Sequence, residues 1–140
     1  MNLRVAEAEL RTVMCAKPRR TICVDLDGTL ADYKHWRGHA HVGKPIKAMA
    51  TLVRKEAARG SYIIINTCRV TTATTNRLIP QALEAVCEWL KANRIPYDEV
   101  WAATGKPYGH VYWDDKAANP SCRECCQRVA REFKKKVENK

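Results

Sequence analysis

The chain has 140 residues, 46% of them hydrophobic and 29% charged, with 25 basic against 15 acidic side chains and a formal net charge of +10. Such a length suits one domain with a real core and excludes two ordinary ones, and the composition is that of a folded, soluble protein. No apolar run approaches the roughly 18 to 20 residues that span a bilayer, and the basic balance favours anionic partners, nucleic acid among them.

Residues 1 to 20, MNLRVAEAELRTVMCAKPRR, lack the continuous apolar segment of a secretory signal. They fit a leader or short amphipathic helix over 1–18, in which Glu7 and Glu9 speak against a mitochondrial presequence. The chain therefore reads as cytoplasmic. Its seven cysteines (Cys15, Cys23, Cys68, Cys87, Cys122, Cys125 and Cys126) are odd in number and have no scaffold-like spacing, so reduced thiols are expected.

Thr21 to Leu26 is a short apolar run, as for a strand buried on both faces. A polar stretch rich in Gly, His and Lys, DYKHWRGHAHVGK at 32 to 44, follows as a loop. Pro45 opens a helix whose apolar positions Ile46, Met49, Ala50, Val53 and Ala57 recur at helical spacing, with Gly60 as its stop. Tyr62 to Ile65 is a second buried strand that ends in Asn66-Thr67-Cys68-Arg69. Ile79, Leu83, Val86, Cys87 and Leu90 share one face of a helix from about Thr75 to Asn93, with Pro80 tolerable only near its first turn. Short strands are expected around Glu99 to Ala102 and His110 to Trp113, the second running straight into Asp114 and Asp115.

The last helix, in the basic segment 120–140, opens on Ser121-Cys122-Arg123-Glu124, which fits a capping box. Cys122, Cys125, Cys126, Val129, Ala130, Phe133 and Val137 form one stripe along it. A single C-x2-C is half a metal site, and these cysteines already have a packing role in that stripe. Arg123, Arg128, Arg131, Lys134, Lys135 and Lys136 line the opposite face, either solvated or anion-binding. The alternation of strands and helices predicts an α/β fold, a Rossmann-like three-layer sandwich on a mostly parallel sheet, in which ligands sit beyond the carboxyl ends of the strands.

That rule gathers Asp25, Asp27, Thr67, Asp114 and Asp115 at one edge. In a strand, Asp25 and Asp27 would point to the same face and repel each other. Four converging carboxylates call for a divalent cation, and hard oxygen ligands suit Mg2+, which leaves coordination positions open for phosphate oxygens. Phosphoryl transfer then needs a nucleophile, a proton donor and positive groups around the phosphoryl.

These residues carry a resemblance. Asp25-Leu26-Asp27-Gly28-Thr29-Leu30 resembles the first motif of the haloacid dehalogenase-like (HAD) superfamily, and Ile63-Ile64-Ile65-Asn66-Thr67 its second. Lys106, in GKPYG, is similar to the third motif's lysine, and Val111-Tyr112-Trp113-Asp114-Asp115 to the fourth motif. The four stand in the required order, and WDDKA at 113 to 117 matches the W-D-D-[KR]-A form found in small bacterial and phage members. The stretches between Asp27 and Thr67 and between Thr67 and Lys106 leave little room beyond one helix each, so the resemblance is to capless or minimally capped members, with 19–119 as the core of a single domain.

The resemblance implies a Mg2+-dependent phosphatase acting through an aspartyl-phosphate. Asp25 would be the nucleophile and a metal ligand. Asp27 would protonate the leaving group, then activate water, while its backbone carbonyl touches the metal. Dehalogenase members lack this second carboxylate, because a halide leaves without a proton. Thr67 would hydrogen-bond the phosphoryl, Lys106 would offset charge, and Asp114 and Asp115 would complete the metal site. Gly28, followed by Thr29, permits the sharp exit that lets backbone amides face the phosphate.

Other readings compete at several positions. Gly105-Lys106-Pro107 also fits a turn with an exposed lysine, and the rival Lys116 better fits a salt bridge. In the loop after the first motif, Trp36 and Arg37 suit a base and a phosphate, whereas His35, His39 and His41 read as loop histidines because Gly38 interrupts any helical spacing. Arg69 fits a phosphate contact or a salt-bridge partner equally. The substrate is expected to be a nucleotide, a sugar phosphate or the phosphorylated end of a nucleic acid. The alternative is a non-catalytic module that binds nucleic acid or an acidic protein through the C-terminal helix.

Overall fold

The structure, a computed structural model, describes residues 19–71, 78–117 and 121–138. The expected leader or helix over 1–18 lies outside them. Along the chain come β1 (Thr21–Val24), α1 (Lys47–Ala58), β2 (Tyr62–Ile65), α2 (Cys68–Thr71), α3 (Leu78–Ala92), β3 (Glu99–Val100), β4 (Val111–Trp113) and α4 (Arg123–Glu138). The sheet runs β3-β2-β1-β4, and all three pairings are parallel. This is a small Rossmann-like α/β fold, with no large cap domain among the described residues.

The chain moves from β1 outward through β2 to β3, then crosses back to place β4 on the other side of β1. The order of strands therefore reverses between β1 and β4. At such a switch point the connections leave in opposite directions, and a crevice opens beyond the carboxyl ends of the two strands. Asp25 follows the end of β1, and Asp114 follows the end of β4.

Buried β-branched side chains explain why the central strands form where they do. Ile22 and Val24 of β1 and Ile63 and Ile65 of β2 have no solvent exposure, while Cys23 and Ile64, on the opposite face, are also buried. Strands covered on both faces lose the polar alternation of an exposed sheet. Leu26, Leu30, Ala50, Val53, Val70, Ala82, Val86, Leu90 and Ile95 complete the same cluster. Ala50 and Val53 come from α1 and Ala82, Val86 and Leu90 from α3, so the helical spacing identifies the faces that pack.

The boundaries differ in ways with local causes. β1 stops at Val24 rather than Leu26, because the Leu26 carbonyl turns to accept the amides of Thr29, Leu30 and Ala31. Pro45 does not open α1. It forms an antiparallel bridge to Ala31, and Ile46, in an extended conformation, precedes the helix. Pro80 sits in the first turn of α3, where its missing amide costs no helical bond. The side chains of Cys125, Cys126, Val129, Phe133 and Val137 lie outside the described residues.

The core dictates a stability cost. Ile63→Ala deletes side-chain volume from a fully buried site between β1, β2 and the helices, and is expected to cost about 2–5 kcal/mol, read as a lower urea midpoint at unchanged slope.

Candidate functional site

β1 does not release its chain cleanly at Val24. The Asp25 amide donates to the Trp113 carbonyl at 2.9 Å, which extends the β1–β4 ladder by one residue, and the Asn66 amide donates to the Val24 carbonyl at 2.9 Å. Asp25 is thus clamped between the ends of its two neighbour strands. The next residues turn sharply, with the Gly28 amide donating to the Ala31 carbonyl at 2.8 Å. Gly28 has φ +90, and a Cβ there would fall on the Asp115 carboxylate. Only glycine satisfies both the left-handed backbone and that close approach.

The turn separates the two aspartates that a continuous strand would have set side by side. Asp25 is brought to Asp114 and Asp115, and one carboxylate oxygen from each lies within 4.8 Å of the others. The Thr29 hydroxyl ties this group together, donating to Asp25 Oδ2 at 3.1 Å and accepting the Asp115 amide at 3.1 Å. Burial pushes the Asp25 carboxyl up to about 7, and the charges of Asp114 and Asp115 add to that push. The hydrogen bonds that Asp25 receives from the Thr29 hydroxyl and the Leu26 amide oppose it.

Asp27 goes elsewhere. Its carboxylate is held by Arg69, with Nε to Oδ2 at 2.6 Å and Nη2 to Oδ1 at 2.7 Å. Arg69 is buried, and its remaining Nη1 donates to the carbonyls of Gly38 and His39 at 3.1 and 3.2 Å. Its guanidinium carbon also stands 5.0 Å from the Trp36 ring centroid. The side chain of Asp27 is therefore not among the clustered carboxylates. Arg69 is a salt-bridge partner rather than a group free to hold phosphate.

Asp25, Asp27, Trp36, Thr67, Arg69 and Asp114 line one cleft of about 390 Å3. Thr67 is buried at its floor, and its hydroxyl accepts the Arg69 amide at 3.3 Å. Gly28, Thr29 and Lys106 instead border a separate depression that also touches Asp114 and Asp115. The Lys106 ammonium lies 3.8 Å from the Tyr112 ring centroid, outside the cleft of Asp25. Arg37 lies outside it too, with Nη1 3.4 Å from His41 Nε2.

Lys116, read above as a salt-bridge lysine, and His39, read as a loop histidine, also line the cleft, together with Tyr33 and Cys68, which carried no signal of their own. For Lys116 the signal was adjacency: its amide donates to Asp114 Oδ1 at 2.8 Å, which keeps it beside the acidic group. His39 packs edge-on against Trp36 with ring centroids 4.9 Å apart, and its Nδ1 is buried with no hydrogen-bond partner among the described residues. Arg128, expected on a solvated or anion-binding face of α4, reaches back to donate to the carbonyls of Asp115 and Ala117 at 2.7 and 3.0 Å.

No protein-family model and no curated protein matches the sequence. Two solved structures resemble the fold. A target protein from Vibrio cholerae is 26% identical with a TM-score of 0.50, over 81% of this chain and 98% of that one. A conserved protein from Bacteroides thetaiotaomicron is 16% identical with a TM-score of 0.50, over 84% of this chain and 92% of that one. The chain is a small parallel α/β protein with an acidic cluster at its switch point.

Two outcomes follow from this geometry. Because the folded state raises the Asp25 carboxyl above its ordinary range, it holds a proton that the unfolded chain has already released, and this contribution to stability is lost as pH rises from the ordinary carboxylate range through about 7. In chelator, Asp25→Asn is expected to raise the melting temperature relative to wild type more at about pH 8 than at about pH 5. Arg69→Met leaves Asp27 without its cation and loop 32–44 without its anchor. It is expected to cost about 3 kcal/mol, with faster amide exchange across that loop.

Proposed function

We propose that the chain is a Mg2+-dependent phosphomonoesterase of the HAD superfamily that works through an aspartyl-phosphate on Asp25. The observation that carries the reading is the meeting of Asp25, Asp114 and Asp115 within 4.8 Å at the switch point. Three carboxylates so placed oppose one another, and half-buried Asp25 has little water to screen it. An all-oxygen donor set of this charge fits a hard divalent cation. The four sequence motifs support the same reading, since three of them end at this cleft.

Asp25, Asp114 and Asp115 would hold the ion through their side chains, and Asp27 through its carbonyl. When bound, Mg2+ supplies the positive charge that offsets these carboxylates and the phosphate oxygens. The chain's own groups divide the remaining work. An Asp25 oxygen forms a bond to phosphorus as the bond to the leaving oxygen breaks. Asp27 gives its proton to that oxygen, then takes one from the water that releases phosphate from Asp25. Arg69 occupies one lone pair on each Asp27 oxygen, so further lone pairs remain for the proton. The Thr67 hydroxyl, at the cleft floor, would hydrogen-bond the phosphoryl group, and Lys116 would add positive charge at the wall.

The test is phosphate release from an aryl phosphate with and without Mg2+, in wild type, Asp25→Asn and Asp27→Asn. Release should need the metal, fall to background in Asp25→Asn, and drop by about 10²- to 10⁴-fold in Asp27→Asn with a leaving group that needs its proton. Metal-independent release, or release undiminished in Asp25→Asn, would sink the reading.

A further inference from the structure

A second cleft of about 520 Å3 opens on the other side of loop 32–44. Lys34, Arg37 and Lys44 line it with His35 and His41, against a single carboxylate, Asp32. Among the described residues, none of the three cations pairs with a carboxylate, whereas Arg69, which also lines this cleft, is matched by Asp27. Tyr33 and Arg69 line both clefts, so the cationic one begins where the acidic one ends.

The cationic cleft is built rather than draped. The Asp32 amide donates to the Lys44 carbonyl at 2.7 Å, and Trp89 Nε1 donates to the Gly43 carbonyl at 2.8 Å. Gly43 passes so close to the Asp32 backbone that a Cβ would overlap its carbonyl. Lys34 and Lys44 are thus carried near a pinned loop base, while Tyr33, 37% exposed, offers an aromatic ring at the seam between the two clefts, and Trp36, 49% exposed, stands within the acidic one.

We infer that the cationic cleft binds a second phosphate of the substrate, carried by the leaving group. This rests on the phosphomonoesterase reading and names its substrate class: a phosphomonoester whose leaving group bears a further phosphate. A phosphoryl group among the carboxylates, itself neutralised by the cation, directs the rest of the molecule past Tyr33 and Arg69. There an uncharged or small leaving group has nothing to meet three unmatched cations. A phosphate does, through charge-assisted hydrogen bonds from Lys and Arg, and a base can stack on the exposed rings. Hydrolysis leaves orthophosphate from one cleft and a hydroxyl compound still carrying its other phosphate in the second. The phosphorylated end of a polynucleotide and a nucleoside bisphosphate both have this chemistry.

The experiment measures kcat/KM of the full chain with Mg2+ on an aryl phosphate, a nucleoside monophosphate, a nucleoside 3′,5′-bisphosphate and a terminally phosphorylated oligonucleotide, in wild type and in Lys34→Gln/Lys44→Gln of confirmed melting temperature. The bisphosphate or the oligonucleotide should exceed the monophosphate by about tenfold or more, and the double variant should erase most of that ratio. For the oligonucleotide, the slope of log(kcat/KM) against log salt should also shrink by about 2 in the variant, roughly 1 per lysine. A further advantage of the oligonucleotide over the bisphosphate assigns a polynucleotide end; equal values assign the small bisphosphate. If aryl phosphate and monophosphate are hydrolysed as well as both larger substrates, or the ratio survives the double variant, the inference fails while the phosphomonoesterase reading stands. No turnover of any substrate, aryl phosphate included, overturns both.

Discussion

β1 is hydrogen-bonded on both edges, to β2 and to β4, and everything at the site depends on that double pairing. A strand paired in parallel on both sides cannot end where it likes, because its neighbours end beside it. The Asp25 amide is claimed by Trp113 and the Val24 carbonyl by Asn66, so the sheet sets where Asp25, Thr67 and Asp114 stand. The carboxylates are driven together by apolar burial elsewhere, in Ile22, Val24, Ile63 and Ile65, each of which contributes on the order of 1.5–3 kcal/mol. Apolar burial in the core thus offsets their mutual repulsion, which a bound cation would relieve at the site itself.

Arg69 gives the second half of the arrangement. One buried guanidinium spends two donors on Asp27 and one on the carbonyls of Gly38 and His39, with Trp36 over its face. It thereby balances one aspartate of the first motif and leaves the other to its like-charged neighbours. It also links the end of β2 to loop 32–44, so the wall of the cleft and the state of Asp27 are parts of one hydrogen-bonded unit. A loop rich in Gly, His and Lys has little apolar area to fold on, and here its tip and base are held by polar contacts instead.

Charge is sorted along this loop. Carboxylates gather on the side of β1 and β4, and cations with no carboxylate partner among the described residues on the side of Trp89 and Lys44, with Tyr33 and Arg69 between. The net charge of +10 is therefore not spread evenly around the acidic site, and some of it is arranged next to that site. The same basic surplus reaches the site from the last helix, where Arg128 braces the carbonyls of Asp115 and Ala117.

Local pattern by itself determined the strands and the packing faces. Runs such as YIII and TICV have few ways to hide their side chains other than as central strands, and Ala50, Val53, Val86 and Leu90 recur at the helical period. Asp25 and Asp114 were legible as site residues because each directly follows a buried strand, and strand ends in a parallel sheet face one crevice. What only the tertiary structure decided was the partner of each charge. The strand's period put Asp25 and Asp27 on one face, but a turn at Gly28 sent them to opposite neighbours, and Arg69, distant from Asp27 in sequence, became the counter-ion. Lys116 stands in the cleft and Lys106 on Tyr112 for the same reason: a long side chain on a loop has its direction set by contacts across the fold, and no periodicity in the chain records them.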